Sequence, residues 1–134
     1  MTSEVIYTGA LRTECKHLRS GNSIITDAPV DNKGKGETFS PTDLVATSLA
    51  ACILTTIGIK VEEKGLDISG AKAEVEKVMA SDPRRISAIN MKITMPAKNY
   101  TDKEKVLIEK IAAHCPVGRS LHADLDENME IIWL

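Results

Sequence analysis

Apolar and polar residues alternate over the first part of the chain, as half-buried β-strands require. The alternation covers residues 5–7 and resumes over residues 11–15. The Ser-Gly-Asn stretch at 20–22 is typical of a turn, and residues 23–27 then predict a returning strand. Residues 27–36 are rich in turn formers and predict a loop. The N-terminal part of the chain is therefore expected to be β-structure.

A long helix is predicted to begin at Pro41. Ser40 can cap it, proline suits the first helical position, and Asp43 completes a capping-box arrangement. Apolar residues then occupy most faces of the helix, so we expect it to be buried rather than to lie on the surface. Lys64-Gly65 is typical of a helix C-terminus and is expected to end it.

The rest of the chain predicts further strands and helices in runs. The predicted elements are strands at 69–79 and 85–95 with a turn at 81–83, a helix opened by a capping box at 101–104, a shorter helix over 116–122, and a strand at 129–133. Val106, Leu107 and Ile111 are expected to form the inner face of the capped helix. The order β-β-(β)-α-β-β-α-α-β favours an α+β fold over a doubly wound sheet.

The central helix also suggests how the chain assembles. One short chain is too small to bury a helix that is apolar on most faces. Dimerisation would bury the apolar residues of the helix that stay exposed in the single chain. We therefore expect a single domain over 1–134 in an obligate homodimer. It would consist of a β-rich part at 1–40, the central helix at 41–65 and a β-β-α-α-β part at 66–134.

Composition narrows the class of protein. The chain has 134 residues, of which 43% are hydrophobic, so it can bury a core as one domain. A net charge of −2 and an aromatic content of 3% argue against a nucleic-acid binder. The N-terminus lacks the pattern of a signal peptide, and the longest mostly apolar stretch, 44–59, is expected to be too short to span a bilayer. These features predict a cytoplasmic protein that is not bound to a membrane.

Two cysteines carry the candidate chemistry. Cys52 follows Ala-Ala on the apolar helix, and Cys115 stands between His114 and Pro116. A buried cysteine is usually inert packing, but two thiols brought together can cycle between dithiol and disulfide. In a cytoplasmic protein, such a transient pair is a commoner use of cysteine than a structural disulfide.

The other candidates are weaker. His114 and His122 could bind zinc together with Cys115, but their spacing matches no usual zinc motif. Cys15 has strand parity opposite to that of Arg12, so it should point to the other face and is interpreted as structural.

Two motifs resemble those of the OsmC/Ohr family. The first is Ser-Pro-Thr-Asp-Leu at 40–44 followed by a small-residue helix that reaches Ala-Ala-Cys at 50–52, and the second is His-Cys-Pro-Val-Gly-Arg at 114–119. The resemblance covers residues 6–133 and is to the OsmC-like branch. It implies antiparallel sheets wrapped around long central helices in an intertwined α+β homodimer, with a thiol pair that reduces organic hydroperoxides at the subunit interface. It implies no cofactor and no metal.

The resemblance also assigns roles to four residues. Cys52 would be the peroxidatic cysteine, Cys115 the resolving one, and Arg12 a guanidinium that favours the reactive thiolate. Thr42 stands where Ohr-type members carry a carboxylate. Asp43, about 100° further round the helix, is expected to orient Arg12 instead.

Two functional interpretations follow from the resemblance. One is a thiol peroxidase for organic hydroperoxides that is re-reduced by a dihydrolipoyl protein or another dithiol. The other is a weakly active or non-catalytic stress-response dimer that binds small molecules. The second interpretation arises because Thr42 would weaken the arginine clamp.

Overall fold

The computed structural model describes every residue, Met1–Leu134. Its elements are β1 Ser3–Gly9, β2 Arg12–His17, β3 Ser23–Asp27, a short 3₁₀ turn Val30–Asn32, α1 Pro41–Glu62, β4 Lys72–Ala80, β5 Arg85–Met95, α2 Asp102–Ala112, α3 Pro116–Ser120 and β6 Asp126–Trp133. The predicted α+β class and the predicted order of elements are confirmed. The chain divides into two units, Met1–Val45 and Ala46–Leu134.

The N-terminal unit contains an antiparallel sheet in the order β1-β2-β3. Ala10 and Leu11 have φ values of 54° and 62° and make the turn between β1 and β2, so Leu11 belongs to a turn rather than to a strand. Cys15 lies between Val5 and Ile24 in the ladder. Val5 is 60% exposed, so the chain by itself does not cover the face that the alternation predicted to be half-buried.

Helix α1 has both of the ends that its sequence predicts. The Ser40 N–H donates to Asp43 Oδ2 at 2.9 Å, and the Asp43 N–H donates to Ser40 Oγ at 3.1 Å, which is the predicted capping box. At the other end Gly65 takes a φ of 71°. Leu66 N–H then donates to the Val61 carbonyl at 3.0 Å, as in a Schellman motif.

One face of α1 belongs to the core of the C-terminal unit. The buried residues of this face are Ala46, Leu49, Ala50, Ile53, Ile57 and Val61. Other positions are uncovered within the chain, and Ile59 is 57% exposed. With 22 residues, α1 is long and apolar enough to cross a membrane by length and composition alone, which corrects the expectation that its apolar stretch is too short.

The C-terminal unit contains a sheet in the order β4-β5-β6. Strands β4 and β5 are antiparallel, whereas β6 runs parallel to β5, a pairing that the sequence pattern did not predict. A parallel pair needs a crossover, and α2 and α3 supply it. On the inner face Met91 lies between Val75 and Met129. The predicted strand at 85–95 is confirmed, while β4 begins later and β6 begins earlier than predicted.

Helix α2 begins with the predicted capping box, in which Thr101 and Glu104 bond to each other's backbone N–H groups. Its predicted inner face is wrong in part, because Val106 is 49% exposed. The buried residues are Ile108 and Ala112. Their spacing continues to Cys115, so the true inner face of α2 points toward the second cysteine.

Candidate active site

Cys52 lies in the middle of α1, on the margin of its buried face. The residue is half-buried and packs against the core formed by its neighbours. Its Sγ lies 3.9 Å from the Oγ1 of Thr56, one turn further along the helix. This position gives Cys52 a wall of packed side chains on one side and an accessible side on the other.

Cys115 lies at the junction between α2 and α3. Its backbone is extended (φ −104°, ψ 153°), because the following proline disfavours the helical conformation. Pro116 then occupies the first turn of α3, and the Gly118 N–H donates to Cys115 Sγ at 3.3 Å. The proline therefore ends α2 and turns Cys115 inward, where only 3% of its surface is exposed.

The structure brings Cys52 and Cys115 together. Both thiols are reduced and lie in side-chain contact. Burial raises the pKa of Cys115, and the neighbouring Cys52 thiol and the negative charge of Glu127 raise it further, against the opposing effect of the Gly118 N–H. The raised pKa therefore keeps the Cys115 thiol protonated.

Glu127 is a site residue that the sequence motifs did not indicate. It lies on β6 directly beside the buried Ile89. A Cβ placed on Gly118 would lie 3.1 Å from both carboxylate oxygens of Glu127 and 3.4 Å from Cys115 Sγ. Because Gly118 has no side chain, the Glu127 carboxylate and the Cys115 thiol can both lie close to it. The strand parity of Met129 and Ile131 was the available signal, because it places Glu127 on the inner face as well.

Arg12 is held by two carboxylates within the N-terminal unit. Its Nε donates to Asp27 Oδ1 at 2.6 Å, and its Nη2 donates to Asp27 Oδ2 at 3.2 Å and to Glu37 Oε2 at 2.7 Å. Asp27 is buried, and its hydrogen bonds from Arg12 lower its pKa despite the opposing effect of burial. The expectation that Asp43 orients Arg12 is corrected: Asp27 and Glu37 do so, and Asp43 caps α1.

Arg12 belongs to the N-terminal unit, whereas Cys52 and Cys115 belong to the C-terminal unit. The predicted approach of Arg12 to Cys52 stays a prediction. Cys15 lies in β2 with its Sγ 3.7 Å from Thr13 Oγ1, consistent with a structural role.

Four grooves of about 440–550 Å³ open on the C-terminal unit, and two of them contrast in their lining. One, of about 450 Å³, lies beside the thiol pair; it is lined by Thr56, Ile59, Lys60, His114, Pro116 and Arg119. The other, of about 520 Å³, lies over the sheet, among the carboxylates and amides of its outer face. There Asn90 donates to Glu76 at 2.8 Å and accepts from Asn128 at 2.9 Å, so these polar groups satisfy one another. The groove beside the thiols is the one positioned for chemistry.

Comparison with known proteins connects this geometry to a family. The family model for OsmC-like proteins matches residues 34–129. The chain is similar to the structure of a proposed osmotic stress induced and detoxification response protein from Psychrobacter arcticus 273-4, at 53% identity over 98% of this chain and 95% of that one, with a TM-score of 0.93. No curated protein matches the sequence.

More distant structures share the fold. An organic hydroperoxide resistance protein OsmC from Legionella pneumophila has 15% identity over 98% of this chain and 97% of its own, with a TM-score of 0.76. The organic hydroperoxide resistance protein OhrB of Bacillus subtilis has 17% identity over 98% of each chain, with a TM-score of 0.70.

Proposed function

Because this chain belongs to the family of OsmC-like proteins, we propose that it is a stress-defence protein and, more specifically, a thiol peroxidase for organic hydroperoxides. The observation that carries the proposal is the contact between the reduced thiols of Cys52 and Cys115. The detoxification response named for the Psychrobacter relative and the hydroperoxide resistance named for the distant ones agree with it.

The reaction uses both thiols. The Cys52 thiolate attacks the terminal oxygen of the hydroperoxide, the O–O bond breaks, and the alkoxide takes up a proton and leaves as the alcohol. Cys52 is then a sulfenic acid. The sulfur of Cys115 attacks the sulfur of Cys52, and the hydroxyl group leaves as water with the proton from Cys115. An external dithiol, such as a dihydrolipoyl group, reduces the disulfide and completes the cycle.

The geometry supports this division of roles. The more deeply buried thiol, Cys115, has a raised pKa and keeps its proton, so the proposal assigns the attack on the peroxide to Cys52. Cys52 is also more open to a substrate. A thiol that stays protonated until its neighbour is oxidised is suited to the resolving step, because it does not consume peroxide itself.

Arg12 activates Cys52 in this proposal. Asp27 and Glu37 hold its guanidinium in a fixed orientation, which reduces the entropy lost when it binds an oxyanion. We place Arg12 at the thiol of a partner subunit in a homodimer. The uncovered apolar positions of α1 and of the N-terminal sheet support such an assembly.

A single-turnover thiol count tests the proposal. One equivalent of cumene hydroperoxide should remove two free thiols per chain from the reduced protein. Cys15→Ser should behave in the same way, whereas Cys115→Ser should accumulate a sulfenic acid that dimedone traps on Cys52. If no thiol is lost, or if Cys52→Ser still loses two, the peroxidase assignment is wrong.

A second function is favoured by the arginine cluster. Two carboxylates surround one guanidinium, so the cluster as a whole carries negative charge and stabilises an anion less well than a free arginine. This favours a weakly active dimer that binds small molecules. Slow thiol loss, together with saturable binding of cumyl alcohol measured by calorimetry, would identify that function.

A further inference from the structure

The resolving step of the proposed cycle needs a group that takes the proton of Cys115. Burial, with the neighbouring Cys52 thiol and the charge of Glu127, raises the pKa of Cys115, so the thiol holds its proton in the resting protein. A thiol attacks another sulfur only as it loses that proton, because the thiolate is the nucleophile. Solvent reaches a buried thiol poorly, so a proton acceptor inside the site would speed disulfide formation.

The carboxylate of Glu127 is placed to be this acceptor. The point where a Cβ on Gly118 would stand lies 3.1 Å from both of its oxygens and 3.4 Å from Cys115 Sγ. Because the two oxygens are equally near that point, the carboxylate faces it with both of them. The Gly118 N–H donates to the sulfur at 3.3 Å and holds it in place. The glycine thus leaves a gap through which a proton can pass from sulfur to oxygen, directly or through one water molecule.

The Glu127 carboxylate is not engaged elsewhere in the chain. No hydrogen bond or ion pair within the chain occupies it, whereas Asp27 is held by Arg12. A carboxylate that is paired with a cation is a poor proton acceptor, because the cation favours its charged form. Glu127 is therefore a carboxylate beside the thiols that is available to accept a proton.

The other charged groups around this point cannot take the proton. Lys77 is in the same row of the sheet as Glu127, on the far side of Ile89. Arg119 follows Gly118 on α3 and lines the groove beside α1. Charged lysine and arginine side chains donate hydrogen bonds and accept none. The remaining titratable neighbour of Cys115 is Cys52 itself, which is the sulfur under attack.

We propose that Glu127 is the proton acceptor of the resolving step. The inference rests on the proposed peroxidase function and adds a catalytic residue to it. Once Cys52 is a sulfenic acid, the sulfur of Cys115 attacks the sulfur of Cys52, and the Cys115 proton passes to the Glu127 carboxylate. The S–O bond of the sulfenic acid breaks, and the hydroxyl group leaves as water with the proton that the carboxylic acid releases.

Two roles for Glu127 predict opposite effects of its removal. If it acted only as a negative charge, it would hold the proton on Cys115, and Glu127→Gln would speed the attack on the sulfenic acid. If it is the proton acceptor, Glu127→Gln should slow that attack about 100-fold at pH 7, as for the loss of a general base. Faster or unchanged disulfide formation in this variant would overturn the proposal.

Rapid-quench mass spectrometry of the reduced Cys15→Ser protein separates the two chemical steps. After mixing with cumene hydroperoxide, it follows the sulfenic acid that dimedone traps on Cys52, and then its conversion to the disulfide. Glu127→Gln should leave the first rate unchanged and slow the second. Glu130→Gln makes the same change of charge on the outer face of β6 and should change neither.

The same experiment distinguishes two kinds of failure. If no variant forms a sulfenic acid on Cys52, the peroxidase function is wrong and the role of Glu127 fails with it. If the sulfenic acid forms and Glu127→Gln resolves it at the wild-type rate, only the role of Glu127 is wrong.

The pH dependence and chemical rescue distinguish proton transfer from a structural effect. With glutamine at position 127 the proton must pass to solvent, so the rate of disulfide formation should rise with pH and the deficit should shrink between pH 7 and pH 9. In Glu127→Ala, formate should restore part of the rate, because a small carboxylate fits the space that the side chain leaves. A deficit that is constant with pH and that formate does not relieve would show that Glu127 only positions Cys115.

A peroxide-free reaction tests the same proton transfer. One equivalent of Ellman's reagent forms a mixed disulfide on the more open thiol, Cys52, of the Cys15→Ser protein, and releases one thiolate. Cys115 then displaces the second thiolate as it closes the disulfide. Glu127→Gln should slow this second release, measured by absorbance, and Glu130→Gln should not. Equal second rates in the two variants would overturn the role of Glu127 whatever the natural oxidant is.

Discussion

Arg12 and Asp27 are direct partners across the β2–β3 ladder, and Asp27 is 98% buried beneath the guanidinium that it binds. Burying an unpaired carboxylate costs folding free energy. The stability of the N-terminal sheet therefore depends on the positive charge of Arg12 that pairs with Asp27.

Acid stability should report this contact. Hydrogen bonds from Arg12 lower the pKa of Asp27 in the folded state. A lowered pKa contributes stability above the ordinary carboxyl range, and the contribution is lost as the pH falls through the folded value. Arg12→Ala should therefore move the acid-unfolding midpoint, followed by circular dichroism, to higher pH. Glu37→Gln, which removes the exposed partner, should move it less. Equal midpoints for wild type and Arg12→Ala would show that the pair is not coupled to folding.

Glu127→Gln should make Cys115 easier to ionise. Burial is the main cause of the raised pKa of Cys115, and the charge of Glu127 adds to it, so its removal should lower that pKa partially. We expect faster iodoacetamide alkylation of Cys115 at pH 8.5, measured in a Cys15→Ser/Cys52→Ser background. Glu130→Gln lies on the same strand but on its outer face, and should have no effect. If both variants react alike, Glu127 does not act on the thiol.

Gly118→Ala should disturb the site through contact rather than through charge. The new methyl group would lie 3.1 Å from the Glu127 carboxylate and 3.4 Å from Cys115 Sγ. We expect a loss of about 1 kcal/mol in the free energy of unfolding, as for modest overpacking, and slower disulfide formation after oxidation of Cys52. The double variant Gly118→Ala/Glu127→Ala removes the carboxylate that the methyl group would contact. It should restore part of the free energy of unfolding. A double variant no better than the single one would locate the strain elsewhere.

The capping box of α1 gives a test that is independent of redox chemistry. Ser40→Ala removes the side-chain acceptor for the Asp43 N–H and should cost about 1 kcal/mol in urea unfolding. Asp43→Asn keeps an acceptor for the Ser40 N–H and should cost less. If Asp43→Asn instead slowed peroxide reduction while stability was retained, the predicted link between Asp43 and the reactive site would be restored.

Local sequence signals predicted both ends of α1 and the start of α2 well. The capping boxes at Ser40 and Thr101 and the glycine-terminated end of α1 depend on residues within one turn of each other, so their chemistry is visible in sequence. The inner face of α2 was less predictable. Val106 is as apolar as Ile108, and the packing of the unit decides which of the two is buried.

Contacts that depend on register or on topology were harder to predict. The turn at 20–22 reverses the chain between β2 and β3. The pairing of Arg12 with Asp27 follows from it only when the number of residues in the turn is known. Glu127 reaches the thiols because β6 runs parallel to β5, and no local pattern indicates that direction. The approach of Cys52 to Cys115 was inferred from family resemblance alone, because nothing local joins α1 to the α2–α3 junction.

The parallel pairing of β5 and β6 has a consequence for how the protein is made. The segment that carries Cys115 is the crossover between these strands, so Cys115 is synthesised well after Cys52. Contacts between residues so distant in sequence form late in folding. Under the proposed function, Cys52 is therefore exposed during synthesis before Cys115 arrives, and a peroxide that meets the nascent chain would oxidise it without protection from a disulfide. A site with the proposed function would thus be most vulnerable to its own substrate while it is still incomplete.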